Sequence, residues 1–351
     1  MIESKVRMDV RMLTWFTGIL AFVVLVWVAK SLSELILPVF VSFLIARLLR
    51  PYVTKLTKKG IPHALSILIV SVICALFAAG VGAVLGYCGV QVAEVIPGYA
   101  PAIANSIHDL QDLVAEFLGT IGGSSTTFSE PSKLLDAEKI IAMVTGALGS
   151  TMTALSTSFM IFILVLMILG AGDSFSNAVL AAYGRERHKK ILAVVHETDE
   201  KMRRFLVSKS LVNLLSGIIT AIIGLAFGLD LAIVFGVLTF FFTFVPVIGG
   251  IAALVLPMAF AYLQFGAGGM LIGIVIALLA GDMIIERVAE PRIMGKSMDL
   301  APVVVILAFL FFTWLWGAVG AILAVPVMAM IKVLCESIPK LRHIAMLLQE
   351  H

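Results

Sequence analysis

Apolar runs of bilayer-crossing length recur along almost the whole chain, separated by short clusters of charge. Residues 12–29, 64–90, 151–170, 211–228 and 269–285 are nearly uncharged, each close to the ~20 residues that a membrane helix needs. A shorter apolar segment, 31–49, follows the first run, and two further blocks, 231–264 and 303–331, are apolar but interrupted by Pro and Gly. Composition points the same way: 61% of the residues are hydrophobic, 13% are charged, and the mean hydropathy is +1.10. A soluble chain carries charge on about a quarter of its residues. The pattern predicts an all-α polytopic membrane protein.

The charges between the runs set a topology, because Lys and Arg gather on the cytoplasmic side. Lys5, Arg7 and Arg11 precede the first run in the manner of a signal peptide. No small-residue cleavage site follows, so 12–29 is expected to be a retained helix. Arg47, Arg50, Lys55, Lys58 and Lys59, and later the basic residues of 184–209, are expected inside. The acidic stretch 91–150, with only Lys133 and Lys139 as basic residues, is expected outside. Both termini are then cytoplasmic.

Arg287, Arg292 and Lys296, and also Lys332, Lys340 and Arg342, read as cytoplasmic, so block 303–331 must enter and leave on one side. Its centre, Phe312 to Gly320, offers a turn, and so does Phe244 to Gly250 in block 231–264. The expectation is two re-entrant helical hairpins: 211–228 plus 231–264, repeated upside down as 269–288 plus 303–331. Pairs of tilted full-length helices, or one long helix over 303–331, are the competing readings. The organisation expected is N-terminal transmembrane helices in 1–90, an acidic extracytoplasmic helical section in 91–150, a transmembrane helix plus cytoplasmic amphipathic helix in 151–210, a hairpin-bearing transport unit in 211–331 and a cytoplasmic tail in 332–351. Residues 102–118 and 191–206 have apolar positions three or four apart and predict amphipathic helices outside the membrane. The stretch 119–132 reads as a linker.

Several classes of chemistry are disfavoured. Cys74, Cys88 and Cys335 give no disulfide framework or metal spacing, and the six histidines are scattered. There is no phosphate-binding GxxxxGK[ST] loop for ATP, and no nucleophile–base constellation. The net charge of +3 arises from residues flanking helices, which is a topology signal and not a nucleic-acid footprint. No cofactor, metal, nucleic-acid partner or enzymatic activity is expected.

Ionisable residues inside a membrane helix are costly and therefore functional candidates. Asp282, Glu286 and Glu290 follow one another at four-residue spacing. Stacked carboxylates repel, which favours uptake of a proton or a cation. Alternatively, Arg287 and Arg292 neutralise the two glutamates at the interface while Asp282 pairs with a buried donor. Asn213, Ser216 and Thr220 share a helix face, with Thr239 and Thr243 beyond. They line a solute path or bond to neighbouring helices. Trp314 and Trp316 stack on a substrate or anchor at an interface. Three GxxxG pairs, Gly82/Gly86, Gly224/Gly228 and Gly269/Gly273, suggest close helix packing.

Phe244-Val245-Pro246-Val247-Ile248-Gly249-Gly250 resembles the F-x-P-x-I-G signature of the autoinducer-2 exporter family. Glu290-Pro291-Arg292-Ile293-Met294-Gly295 is similar to its E-P-x-I-M-G element, and Gly317 to Pro326 to its G-x-x-G-x-x-L-x-x-P close. The order and spacing match over essentially the whole chain. The resemblance implies a bacterial inner-membrane transporter of about eight membrane segments and a homo-oligomer, with a pentamer favoured. Pro246, Gly249, Gly250, Pro291, Gly317, Gly320 and Pro326 would then shape the hairpins. The chain departs from the family where Glu286 and Arg287 replace a common Gly-Asn pair, an added charge that favours cation exchange.

The leading expectation is a secondary transporter exporting a small polar metabolite like autoinducer-2, by elevator-like alternating access of the hairpin-bearing unit. A sodium (or lithium)/proton antiporter using Asp282 is the alternative. A non-transporting membrane scaffold is the third reading.

Overall fold

A computed structural model describes residues 16–18, 20–21, 23–120, 151–171, 174–245, 248–294, 301–337 and 342–348. Pro246, Lys296, the basic N-terminal cluster and residues 121–150 of the acidic section lie outside the described residues. Among those described there are helices and no strands, as expected where no water is available to satisfy backbone groups. In chain order the helices are α1 (Phe16–Ser31), α2 (Ser33–Lys58), α3 (His63–Thr120), α4 (Thr151–Gly170), α5 (Ser174–Ala226), α6 (Ala232–Phe242) and α7 (Ile248–Phe265). Then come α8 (Gly269–Ile284), a π-turn (Ile285–Ala289), α9 (Glu290–Met294), α10 (Pro302–Ser337) and α11 (Arg342–Leu347). Among the described residues, five stretches are long and apolar enough to cross a membrane: Ser33–Lys58, His63–Ser106, Gly184–Ala226, Ile248–Phe265 and Gly269–Met294.

Two expectations are corrected. Apolar run 64–90 and the amphipathic stretch 102–118 are one helix, α3, which continues through Pro97 and Pro101. The basic amphipathic stretch 191–206 and apolar run 211–228 are likewise parts of one helix that runs from Gly184 to Ala226. Both interrupted blocks do break: 231–264 into α6 and α7, and 303–331 at Gly317, where φ is +64°. A residue with a Cβ rarely adopts that conformation. Block 303–331 is therefore not one uninterrupted helix.

The chain forms two compact units. One comprises residues 1–71, 157–202 and 299–351. Its core includes Ala46, Val53, Ile67, Val70, Val165 and Leu169. Arg47 binds Asp199 through two contacts, at 2.5 and 2.7 Å, tying α2 to the first part of α5. Within the same unit the second half of α10 folds back on the first. A side chain at Gly320 would overlap the carbonyl of Phe312, eight residues earlier, which a straight helix would hold about 12 Å away.

The other unit comprises residues 72–156 and 203–298. Cys88, Leu231, Phe235, Phe260, Ile274 and Leu278 belong to its core. Helix α7 packs against both α6 and α8. Helices α5 and α6 touch backbone to backbone: a Cβ on Gly217 would lie 2.5 Å from the Gly236 carbonyl oxygen, and one on Gly236 2.6 Å from that of Gly217. Gly224 and Gly273 of the expected GxxxG pairs meet close neighbours, whereas Gly82, Gly86, Gly228 and Gly269 face open space. At one end the Gln264 amide donates to the Gly228 carbonyl (2.9 Å) and accepts from the Asp230 N–H (3.1 Å). The Tyr99 hydroxyl donates to Asp230 at 2.6 Å. These bonds satisfy the polar backbone of the α5–α6 turn.

Candidate functional site

The second unit contains a polar cavity of about 240 Å³ built from four stretches of chain. From α5 come Lys209, Val212, Asn213 and Ser216, which at spacings of three and four share one helix face. Thr243 and Val245 come from the end of α6, Gly250 from α7, and Asp282, Ile285, Glu286 and Glu290 from α8 and its continuation. Seven of the site residues expected from sequence thus meet here: Asn213, Ser216, Thr243, Gly250, Asp282, Glu286 and Glu290.

The break after α6 is held by Asn213, which is fully buried. With its amide oriented by the surrounding bonds, Asn213 donates to Thr243 Oγ1 (3.3 Å) and to the Lys209 carbonyl (3.2 Å). Its side-chain oxygen accepts from the Phe244 N–H (3.2 Å). The end of a helix leaves its last carbonyls without intrahelical partners, and here those of Phe240, Phe241 and Phe242 accept from Thr243 Oγ1 (3.3 Å), the Phe244 N–H (3.3 Å) and the Val245 N–H (2.8 Å). Thr243 donates to the Thr239 carbonyl at 2.7 Å, and Ser216 to the Val212 carbonyl at 3.2 Å. Gly249 is buried, and a Cβ there would overlap the Phe242 carbonyl. It stands after its break as Gly320 stands after the break in α10.

The carboxylates are carried across the π-turn Ile285–Ala289. In a regular α-helix each four-residue step overshoots a full turn by about 40°. A π-turn holds more residues per turn, which offsets that drift and keeps Asp282, Glu286 and Glu290 on the cavity. Lys209 Nζ contacts Glu290 at 2.8 Å. Glu290 is therefore neutralised by α5, and not by the arginines nearest in sequence. Among the described residues no cationic side chain or hydrogen-bond donor pairs with Asp282. Three carboxylates face one ammonium group, so the lining carries net negative charge.

Lys209 was not expected here, because in the sequence it closes the basic run 184–209. Its spacing of four from Asn213 and seven from Ser216 is the signal that places it on their face. The other expected residues lie elsewhere. Pro291 and Arg292 are exposed on α9. Trp314, Trp316, Gly317 and Gly320 belong to the first unit. There Trp316 donates to the Ala29 carbonyl (3.3 Å) and packs against Phe40 and Phe312. The ammonium of Lys30 lies 3.9 Å from the centre of the Trp314 ring. Both indoles are engaged with their own unit.

The family described as AI-2E family transporter matches residues 16–340. A Haemophilus influenzae protein called a putative transport protein is 26% identical over 333 residues, 94% of each chain. The AI-2 transport protein TqsA of Escherichia coli is 24% identical, covering 91% of this chain and 90% of its own. The putative transport protein YrrI of Bacillus subtilis is 27% identical over 86% of each chain.

Proposed function

Because this multi-pass membrane chain belongs to the AI-2E family of transporters, we propose that it exports a small polar metabolite like autoinducer-2 across the bacterial inner membrane. The observation that carries this reading is the cavity lined by Asn213, Ser216, Thr243, Asp282 and Glu290 within an otherwise apolar bundle. Buried polar groups at membrane depth are costly and are kept where a solute passes. At about 240 Å³ the cavity is smaller than the ~300–1,000 Å³ typical of sites for drug-sized ligands, so it suits a solute of few heavy atoms. The relative TqsA carries the name AI-2 transport protein.

In this reading the break after α6 and the break at Gly317 are the tips of two re-entrant hairpins, bringing the total to about eight membrane segments. Elevator-like alternating access of 211–331 exposes the cavity to each side in turn, with both termini cytoplasmic and copies of the chain assembled as a homo-oligomer, a pentamer being favoured. A second reading, sodium/proton exchange, is favoured by the absence of a cationic partner for Asp282 among the described residues. Flux in proteoliposomes separates the two. Autoinducer-2 efflux without proton movement supports export. Sodium-driven proton movement that disappears in Asp282→Asn, with no autoinducer-2 efflux, replaces export by exchange.

A further inference from the structure

The second unit holds, besides the polar cavity, a groove of about 560 Å³ between α3, α5 and α6. Its lining comes from residues 77–84, 214–221 and 233–241. The polar cavity takes Lys209, Val212, Asn213 and Ser216 from α5, and the groove takes Leu214, Gly217, Ile218 and Ala221. At about 100° per residue these two sets point roughly 140° apart. Helix α5 is therefore a wall between two spaces of opposite character. Every side chain on the groove is a hydrocarbon, and Gly80, Gly217 and Gly236 leave room where side chains would stand.

An apolar space of this kind stays free of water, and an empty one forfeits the dispersion contacts of its lining. Phe77, Leu214, Ile218 and Ile233 at its rim are exposed. In a membrane-spanning bundle such side chains meet lipid tails, which are as apolar as leucine. Size then selects the occupant. The lining stretches run about 10–12 Å along their helix axes, so 560 Å³ corresponds to a cross-section of about 50 Å². A helix about 10 Å across needs ~80 Å², which excludes a helix of a second copy. A methylene takes a little less than the ~30 Å³ of a water and advances an extended chain by about 1.25 Å, given C–C bonds of ~1.5 Å. One acyl chain thus fills about 20–25 Å², and two side by side fill the groove.

We propose that this groove binds one membrane phospholipid by its two acyl chains, taking roughly nine carbons of each. No charged or polar side chain lines it, so the tails are recognised and the headgroup is not. The chains brace the α5–α6 pair from behind, where Gly217 and Gly236 touch, while the other face of α5 lines the polar cavity.

Photo-cross-linking of the purified full-length protein in detergent tests the site, with a phosphatidylcholine that carries a diazirine midway along each chain. Saturable labelling of one lipid per chain is expected, mapped by peptide mass spectrometry to the three lining stretches. Unlabelled phosphatidylcholine and phosphatidylglycerol should compete equally, and single-chain lysophosphatidylcholine at least tenfold more weakly. A Cβ on Gly80 meets nothing within 4 Å, so Gly80→Leu extends into the groove and should cut labelling at least tenfold. Ile233→Phe should do the same from α6. Gly82→Leu, on the same helix as Gly80 and equally unobstructed but off the groove, should label as wild type does. Labelling that never saturates, or that both filling variants leave undiminished, overturns the proposal. So do disulfides between two chains at Ile218→Cys combined with no lipid adduct in wild type, which would give the groove to a second copy. The site is independent of what the polar cavity carries: absence of autoinducer-2 flux leaves it standing, and absence of lipid labelling leaves export standing.

Discussion

Asn213 performs most of the polar work at the first helix break. It meets three groups from two segments of chain, including the Phe244 N–H, which also donates to the Phe241 carbonyl at 3.3 Å. Polar contacts between membrane helices contribute about 0.6–2 kcal/mol each. Asn213→Ala should therefore destabilise the protein by about 1–2 kcal/mol, read as a lower midpoint of thermal unfolding in detergent. Thr243→Val, which removes the hydroxyl but leaves Asn213 its bonds to Phe244 and Lys209, should cost less. Lys209 and Glu290 allow a second test. Removing one member of a half-buried ion pair strands the other charge. Lys209→Met or Glu290→Gln alone should lower stability and flux, and the double substitution should recover part of both losses. The site was legible in sequence to the extent that polar side chains stood out against apolar helices, as Asn213, Ser216 and Asp282 do. Lys209 was hidden because a basic residue at the edge of a basic run looks interfacial until the helix is known to continue through it.

At the scale of elements, the paired glycines after the first break make a sharp comparison. A Cβ on Gly249 would overlap the Phe242 carbonyl, whereas one on Gly250 meets nothing within 4 Å. Overpacking that backbone cannot relieve costs about 1–3 kcal/mol or more. Gly249→Ala should reduce the yield of folded protein in size-exclusion profiles, as should Gly320→Ala, while Gly250→Ala should leave stability unchanged. The π-turn predicts a register effect. Deleting Val288 should return Ile285–Ala289 to regular α-helix and, because seven steps of about 100° fall within about 20° of two full turns, leave Glu290 facing Lys209. A Lys209→Cys/Glu290→Cys pair that a short bifunctional thiol reagent joins in the intact chain should then still be joined, and its loss would mean that the π-turn does not set the register. Both breaks were readable from Pro and Gly in apolar blocks. The π-turn left no signal, because Ile285 to Ala289 carries no residue that demands it. The continuity of α3 was missed for a different reason: Pro97 and Pro101, together with a change from apolar to polar composition, resemble a boundary. A helix satisfies its own backbone on either side of the membrane surface, so composition can change where the helix does not.

At the scale of the whole molecule, length decides what the interrupted blocks can do. Ala232–Phe242, Val303–Gly317 and Val319–Lys332 are apolar helices of 10–17 residues. At about 1.5 Å per residue they reach roughly 15–26 Å, against ~30 Å of hydrocarbon. Ile248–Phe265 alone among these four halves is long enough to cross, but its partner α6, with 11 residues, is not. A crossing pair would therefore leave helix ends in lipid, where each unpaired backbone group is expensive. A hairpin that turns within the protein avoids this, because its tip can be satisfied internally, as Thr243, Phe244 and Val245 bond the last carbonyls of α6. The reading makes a topological prediction for α10. Single cysteines at Met294 and His343, in a background without Cys74, Cys88 and Cys335, should react with a membrane-impermeant maleimide from the same side in oriented vesicles. Labelling from opposite sides would mean that 301–337 crosses the bilayer. In that case the fold-back at Gly320 would need local thinning of the membrane, and alternating access by two inverted hairpins would have to be abandoned.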